Sequence, residues 1–551
     1  MLTEAESYEA VCRAHVWRIP ERFNMGVAVC DRHAADSPDA PALIRESGNG
    51  LQTTSFGDLR CLTNRLANLY HGLGLERGDR VAILLSQSVE TAAAHIAAWK
   101  AGLISIPLFA LFGEDALAFR FQNSGCRVVV TDAENLERVL AVRATCPEID
   151  YVLVVDPVSE GGGVLDLWRA LEQASDTFSP IDTHADDPAL IIYTSGTTGN
   201  PKGALLAHRS LLGHLPGIEM PHEFFPKARD RMWTPADWAW IGGLMNVLMG
   251  SLYHAVPVLA HRMRKFDPEE ALSFMARHGV RNTFMPPTAL RLMSAVNDIP
   301  SRFDLRLRTV AVAGEPMGAE LYDWGRENLG VEFNEFYGQT ECNLVVSNCA
   351  KLMAVKPGSM GRPAPGHRVA VIDASGLECA PGEIGRIAVH RPDPVMMLEY
   401  WRNAQATEGK FEGDWLITGD QGHMDEEGYL WFLSRDDDVI TSAGYRIGPG
   451  EIEDCLCRHP AVAVAAVIGV PDKLRTEVIK AFIMVKESEV ADQALEEDLR
   501  AFVKGRLSPH EYPREIEFVD QLPMTATGKI RRKDLRDAEI ERVLNRTATA
   551  S

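Results

Sequence analysis

The sequence predicts an α/β protein: a large N-terminal domain with mostly parallel sheets flanked by helices plus a β-rich subdomain, and a small C-terminal α+β domain. Three observations predict it. Over the first 430 residues, apolar strand-like runs alternate with Ala-rich helical patterns, the rhythm of parallel sheets with crossover helices. Near residues 357–366 the texture changes to Gly/Pro-rich turns followed by short strands. Past Arg435 a compact mixed pattern of about 115 residues begins, a usual size for one domain.

The elements follow in order. Arg80-VAILLS-Gln87 reads as a strand, Val89 to Lys100 as a helix, and Ile104 to Phe109 and Arg127 to Asp132 as further strands. Residues 386–390 read as a short strand in the β-rich part, placed near 355–434. In the last domain, Val462–Val470, Val478–Val485 and Glu515–Val519 read as strands. Ala494–Leu507 reads as a helix, and a basic helix follows over RRKDLRDAEIERVL. The expected boundaries are 1–434, a hinge at 435–437, and 438–551.

The chain has 551 residues, with 56 Lys and Arg against 77 Asp and Glu, a formal net charge of −21. Hydrophobic residues make up 46% and charged residues 24%, which excludes disordered, collagenous and disulfide-scaffold classes. The acidic balance repels phosphate backbones, so no nucleic-acid partner is expected. Ten cysteines are too sparse for a disulfide framework, and Cys455-x-Cys457 reads as two packing residues in a helix. The start MLTEAESYEA has neither a basic region nor an apolar run, so a cytoplasmic setting is expected. Trp238 to Ala260 carries no Asp, Glu, Lys or Arg, a length that could span a bilayer. Its paired glycines and Pro257 argue against a span, and the stretch reads instead as a buried helix, WIGGLMNVLMGSLYHA, followed by a strand, VPVLA.

The sharpest local signal is Tyr193-Thr-Ser-Gly-Thr-Thr-Gly-Asn-Pro-Lys-Gly203, directly after an apolar strand. Glycines let backbone N–H groups approach an anion, hydroxyls add donors, and Lys202 supplies a point charge. This is a phosphate cradle. It is not a Walker A loop, because Pro201 precedes the lysine and Gly203 follows it.

With five further motifs in order, the chain resembles the adenylate-forming superfamily, most closely medium-chain acyl-CoA synthetases. The motifs are Gly314-Glu315-Pro316, Tyr337-Gly338-Gln339-Thr340-Glu341, Thr418-Gly-Asp420, Arg435-DDDVITSAGYRIGP and Pro523-MTATGK-Lys529. Three departures stand out. Ser434 replaces a usual glycine, Cys342 and Asn343 replace small residues, and His510-Glu511 stands where a basic residue often meets CoA phosphates.

The resemblance implies ATP and CoA as co-substrates and Mg²⁺ as cofactor. Catalysis would fall to Lys529, Thr340 and Glu341, with Glu341 also the metal ligand. The nucleotide would be held by Thr194, Ser195, Gly196, Thr197, Thr198, Gly199, Lys202, Gly314, Glu315, Pro316, Tyr337, Gly338, Gln339, Thr340, Asp420, Arg435 and Arg446. CoA would meet Ala443, Gly444, Tyr445 and Arg475. Asp437 would be the hinge about which a mobile small domain turns between two half-reactions. A lysine acetyltransferase or deacylase acting on Lys529 is implied as a partner, and homo-oligomerisation stays open.

Trp238 and Gly338 are the expected acyl-pocket positions. Acetate-specific relatives carry Trp where Gly338 stands, so a medium-chain, branched or aromatic acid is expected. Two other readings remain at this point: a stand-alone adenylating enzyme that loads a carrier protein, and a non-catalytic nucleotide-binding regulator.

Overall fold

The computed structural model describes the chain except residues 49, 195–200, 316, 436–437, 439, 443–444, 473–475, 487–489, 505, 507–511, 526–527 and 550–551. Contacts divide it into a unit of residues 1–369 and 389–416 and a unit of residues 370–388 and 417–551. The β-rich stretch is therefore shared between the two.

The larger unit holds an eight-stranded sheet in the order 399–400, 202–207, 188–194, 104–107, 80–84, 128–131, 151–154, 164–166. Strands Ile104–Pro107, Arg80–Leu84, Val128–Thr131 and Tyr151–Val154 are parallel, as their β-branched, wholly apolar texture predicts. A second run goes 359–363, 342–347, 333–339, 309–312, 282–285, 232–233, 258–260, 41–47, 50–55. It is parallel from Phe333–Gln339 through Pro41–Ser47.

Helix Val89–Lys100 forms at its predicted bounds. Ser88 caps it by accepting from Thr91 N at 3.1 Å. Almost every side chain of this helix is buried, which suits its alanine-rich sequence to a central layer. Lys100, fully buried, is neutralised by Asp31 at 2.9 Å. Helix Phe56–Gly72 starts with a capping box of Ser55 and Asp58. It buries Phe56, Leu59, Thr63, Leu66, Ala67 and Tyr70, the 3.6-residue stripe of an amphipathic helix.

The charge-free stretch forms the buried helix and the strand that its sequence suggests. The helix is not broken by its glycine pair, since Gly242–Met249 is π-helical and runs straight into Gly250–Tyr253. The glycines are required by packing. A Cβ on Gly242 would stand 2.9 Å from the Phe284 ring, and one on Gly243 2.9 Å from the Asp237 carbonyl carbon. The strand Val258–Ala260 follows as expected. Among the described residues no helix is long and apolar enough to cross a membrane.

In the smaller unit, strands Val369–Ile372, Gly385–His390, Trp415–Met424 and Leu430–Arg435 lie in that order. A separate sheet takes the order 445–447, 440–442, 476–485, 462–472, with Glu515–Phe518 parallel to Thr476–Val485. The closing helix runs Arg532–Thr549. Two expectations are corrected. The 357–366 stretch contains a strand, Ser359–Pro363. Of the cysteine pair in helix Pro449–Cys457, only Cys455 packs, because Cys457 sits one turn-face away and is exposed.

Four histidines of the larger unit are buried as neutral rings. Loss of solvation pushes His95 and His222 down to about 3, and His208 and His214 down to about 4. In the unfolded chain they titrate near 6.5. Below that pH the unfolded state binds more protons, so stability falls as pH falls. For the four together the loss between pH 6.5 and 5 is about 6 kcal/mol. Urea unfolding across that range checks this, and a flat profile would contradict it. His222→Gln should remove about a quarter of the slope.

Candidate active site

The phosphate-cradle sequence is flanked by strands Pro188–Thr194 and Lys202–Ala207, antiparallel, with Thr194 opposite Lys202. Thr194 Oγ1 donates to the Lys202 carbonyl at 3.3 Å. Ser195, Gly196, Thr197, Thr198 and Gly199 lie outside the described residues. Strand Glu399–Tyr400 adds to the far side of 202–207, with Tyr400 opposite Ala204. Trp401 N donates to Gly203 O at 2.7 Å and Leu398 N to Leu205 O at 2.8 Å.

That addition brings Tyr400 to Glu341. The Tyr337–Glu341 motif is the end of strand Phe333–Gln339 and a two-residue turn, Thr340-Glu341, before strand Cys342–Ser347. The Tyr400 hydroxyl donates to Glu341 Oε1 at 2.5 Å, the short geometry of an O–H to carboxylate bond. Met397 N donates to the Glu341 carbonyl at 2.9 Å. Glu341 is 7% exposed. Lys202 Nζ stands 5.4 Å from the Tyr400 ring centroid. Lys410 Nζ donates to Gln339 Oε1 at 3.4 Å. Thus Lys202 and Glu341, 139 positions apart in the chain, meet through one phenol. Tyr400 and Lys410 were not read from the sequence.

Gly338 has a firmer reason than an open pocket. A Cβ there would collide with Leu344 N and stand 2.8 Å from Asn343 Cα. Leu344 has a φ of 60°, unusual for a non-glycine residue. Its carbonyl in turn fills the place a Cβ would take on Gly217. The departure at Asn343 is explained too: its amide donates to Asn246 Oδ1 at 2.7 Å inside the core. Trp238 is fully buried in the main core, and its indole N–H has no acceptor among the described residues.

Gly314 takes a φ of 105°, which glycine permits. Glu315 is anchored on helix Pro287–Ser294, accepting from Thr288 Oγ1 at 2.9 and 2.8 Å and pairing with Arg291 at 3.1 Å. Pro316 lies outside the described residues. Thr288 and Arg291 were also missed by sequence reading, since nothing in their spacing points to position 315.

In the smaller unit, antiparallel register sets Asp420 opposite Arg435, with Arg435 Nε 3.8 Å from Asp420 Oδ1. Thr418 Oγ1 accepts from Asp420 N at 3.1 Å and donates to Ile387 O at 2.6 Å. Asp420 is thereby held nearly buried beside a half-exposed cation. Lys529 is exposed, on a turn closed by Thr525 N to Lys529 O at 2.7 Å and Lys529 N to Thr525 Oγ1 at 3.0 Å. Gly528 supplies that turn's φ of 85°. Asp437, Ala443, Gly444 and Arg475 lie outside the described residues, as do the side chains of Tyr445 and Arg446.

Residues 30–401 match the AMP-binding enzyme family, and residues 451–529 match the AMP-binding enzyme C-terminal domain. The chain belongs to the AMP-binding enzyme family, and it is an AMP-forming acid–CoA ligase. It is 36% identical to the acetyl-coenzyme A synthetase of Bacillus subtilis over 94% of this chain and 91% of that one. It is 34% identical to the mitochondrial acyl-coenzyme A synthetase ACSM3 of Mus musculus, covering 97% of this chain and 93% of that one. A solved structure of the anthranilate CoA ligase AuaEII with anthranoyl-AMP superposes with a TM-score of 0.87 at 28% identity, covering 96% and 99% of the two chains.

The collision at Gly338 makes a prediction. Gly338→Ala should lower kcat/KM by a similar factor for every acid from acetate to octanoate, with a fall in Tm, because overpacking costs ~1–3 kcal/mol at the hairpin. A changed acid preference at unchanged Tm would instead put position 338 in the acyl wall.

Proposed function

We propose that this ligase activates a medium-chain, branched or aromatic carboxylic acid. The acid's carboxylate oxygen attacks the α-phosphorus of ATP, the bond to the bridging oxygen breaks, and pyrophosphate leaves with that electron pair. Oxide is a poor leaving group and AMP a good one, so the acyl-adenylate is then open to a thiol. The CoA thiolate adds to its carbonyl, and AMP departs. Little covalent chemistry falls to the protein, so placement of charge dominates.

The observation that carries this reading is the meeting of Lys202 and Glu341 on either side of Tyr400. A cation at the end of the cradle and a carboxylate at a turn tip suit the β/γ-phosphates and their metal. Among the described residues no cluster of three or more His, Cys, Asp or Glu could hold a metal by itself. That suits Mg²⁺, which usually takes one or two carboxylates and completes its shell with phosphate and water. Glu341 and the Thr340 hydroxyl would hold it, and it would neutralise charge on the phosphates. Gly314 to Pro316 and Tyr337 to Gln339 would border the base. Asp420 suits the ribose hydroxyls as an acceptor, with Arg435 and Arg446 beside the ribose and phosphate oxygens.

Lys529 meets the carboxylate and α-phosphate in the first half-reaction. A hinge at 435–437, centred on Asp437, then turns residues 438–551, bringing Ala443, Gly444, Tyr445 and Arg475 to CoA. Trp238 and Gly338 stand on the acyl side, Gly338 through the hairpin backbone it lets pack. A cytoplasmic setting and acetylation of Lys529 by a lysine-modifying enzyme belong to the same reading, because neutralising that cation would silence adenylation.

The likeness to the ACSM3 synthetase and to the anthranilate ligase supports the acid class. Acetate is the second reading, favoured by the 36% identity to an acetyl-coenzyme A synthetase. Pyrophosphate release over a panel of acetate, hexanoate, octanoate, isobutyrate and benzoate separates them, and a kcat/KM maximum at acetate would overturn the proposal. Lys529→Ala should lower acyl-adenylate formation by ~10²- to 10³-fold, the scale of losing one preorganised contact at a transition state. Thioester formation from pre-made acyl-AMP should be largely spared. Equal loss in both half-reactions would exclude the assigned role.

A further inference from the structure

We propose that Tyr400 is a positioning residue that keeps Lys202 and Glu341 apart, so that each charge faces the nucleotide–metal complex rather than the other. The proposal rests on the reading of Lys202 as a phosphate contact and Glu341 as the metal-side carboxylate.

Two opposite charges held near one another attract. In a site nearly closed to water, a direct Lys–Glu pair would be strong and would cancel the charges that phosphate and metal need. The phenol stands between them. Its ring gives the Lys202 ammonium a face at 5.4 Å, within cation–π range. Its hydroxyl gives Glu341 Oε1 a donor at 2.5 Å. A neutral group therefore meets both ions, each with the pole that suits it.

The two contacts also reinforce each other. Donating to a carboxylate pushes electron density into the ring, which strengthens the ring's hold on a cation. Holding one carboxylate oxygen fixes the rotamer of Glu341, which leaves the direction of the other oxygen set before metal arrives.

Tyr400 can act this way because its own position is over-determined. It is 5% exposed. Its strand is locked to 202–207 on both sides by Trp401 N to Gly203 O and Leu398 N to Leu205 O. Tyr400 N donates to Thr407 Oγ1 at 2.9 Å. Met397, on the same segment, donates to the Glu341 backbone at 2.9 Å. The spacer is thus attached to the loop strand through its own backbone and to the turn through its neighbour.

The variants separate ring from hydroxyl. Tyr400→Phe keeps the spacer and loses the donor. Tyr400→Leu loses the ring face as well and lets Lys202 reach Glu341. Calorimetric binding of a non-hydrolysable ATP analogue, methylene-bridged between the α- and β-phosphorus, is measured against Mg²⁺ concentration in the full chain. Tyr400→Phe should raise the half-saturating Mg²⁺ roughly 10- to 150-fold, the range for losing a hydrogen bond to a charged group. Binding of AMP without metal should stay within about twofold. Tyr400→Leu should add a loss of analogue affinity at saturating Mg²⁺, and in a Lys202→Ala background, itself weaker for the analogue, Tyr400→Leu should add no such loss.

In a Glu341→Gln background, Tyr400→Phe should shift the Mg²⁺ dependence no further. If Glu341→Gln changes the Mg²⁺ dependence and Tyr400→Phe does not, the positioning role is overturned while the metal-side reading stands. If neither changes it, the metal-side reading itself fails. Equal losses of AMP and analogue binding in Tyr400→Phe, with Mg²⁺ dependence unchanged, would reduce Tyr400 to a packing residue and overturn the proposal.

Discussion

Strand Lys202–Ala207 is paired on both edges, and the proposed nucleotide side of the larger unit depends on that. On one edge, pairing with Pro188–Thr194 fixes both ends of the cradle. On the other, Glu399–Tyr400 adds two hydrogen-bonded residues from a segment two hundred positions later. Backbone ladders are the least adjustable contacts a protein has, because each N–H and C=O must be satisfied once buried. A loop that binds phosphate needs flexible glycines, and it gains definition only from what it is anchored to. Here the anchor is a strand whose far edge is capped by the residue that also reaches Glu341.

Much of this was legible in the sequence. The strand at 80–84, the helix at 89–100 and the strands at 128–131 and 476–485 carry strong periodic signals, and propensity agrees with their final surroundings. The motifs at 193–203, 337–341, 418–420 and 523–529 announce themselves because their residue types are chemically expensive to place by accident. Tyr400 does not. It sits on a two-residue strand whose pairing is set by register across the sheet, and no period of two residues can be read from two residues. Gly338 was legible as a glycine but not in its cause, since the atoms that forbid a side chain belong to Asn343 and Leu344 in the next strand. The glycine pair at 242–243 was legible as part of a buried helix but, for a related reason, not in its cause. A helix breaker by propensity is a packing requirement when a ring and a carbonyl press against it.

The smaller unit is held by charge at its own critical point. Arg532 pairs with Glu453 at 2.5 Å and with Asp438 at 3.5 Å, and Arg536 pairs with Asp438 at 2.5 Å. Asp438 and Glu453 are nearly buried. The neighbouring carboxylates hold the Arg532 guanidinium's pKa above its ordinary value despite burial. Arg532 begins the helix three residues after Lys529, so the lysine turn is fastened to the segment that follows the proposed hinge. A residue required to move as part of a body needs such fastening more than it needs packing around its own side chain, which fits an exposed Lys529 on a well-bonded turn.

The first seventeen residues lie outside the matched family region, which begins at residue 30, yet they are tied to the far end of the larger unit. Tyr8 donates to Pro363 O at 2.7 Å, Arg362 stacks on the Tyr8 ring and pairs with Glu9 at 2.9 Å, and Trp17 donates to Gly366 O at 3.0 Å. The consequence appears on the ribosome. The partners of this segment at 362–366 are made about 350 residues after it, roughly 20–70 s at ordinary synthesis rates. Through that interval the Tyr8 ring has no Arg362 to cover it. The segment is polar enough to wait in solvent, with Glu4, Glu6, Glu9 and Arg13 spaced among Leu2, Tyr8 and Val11, and its docking on 362–366 has to follow the synthesis of most of the larger unit.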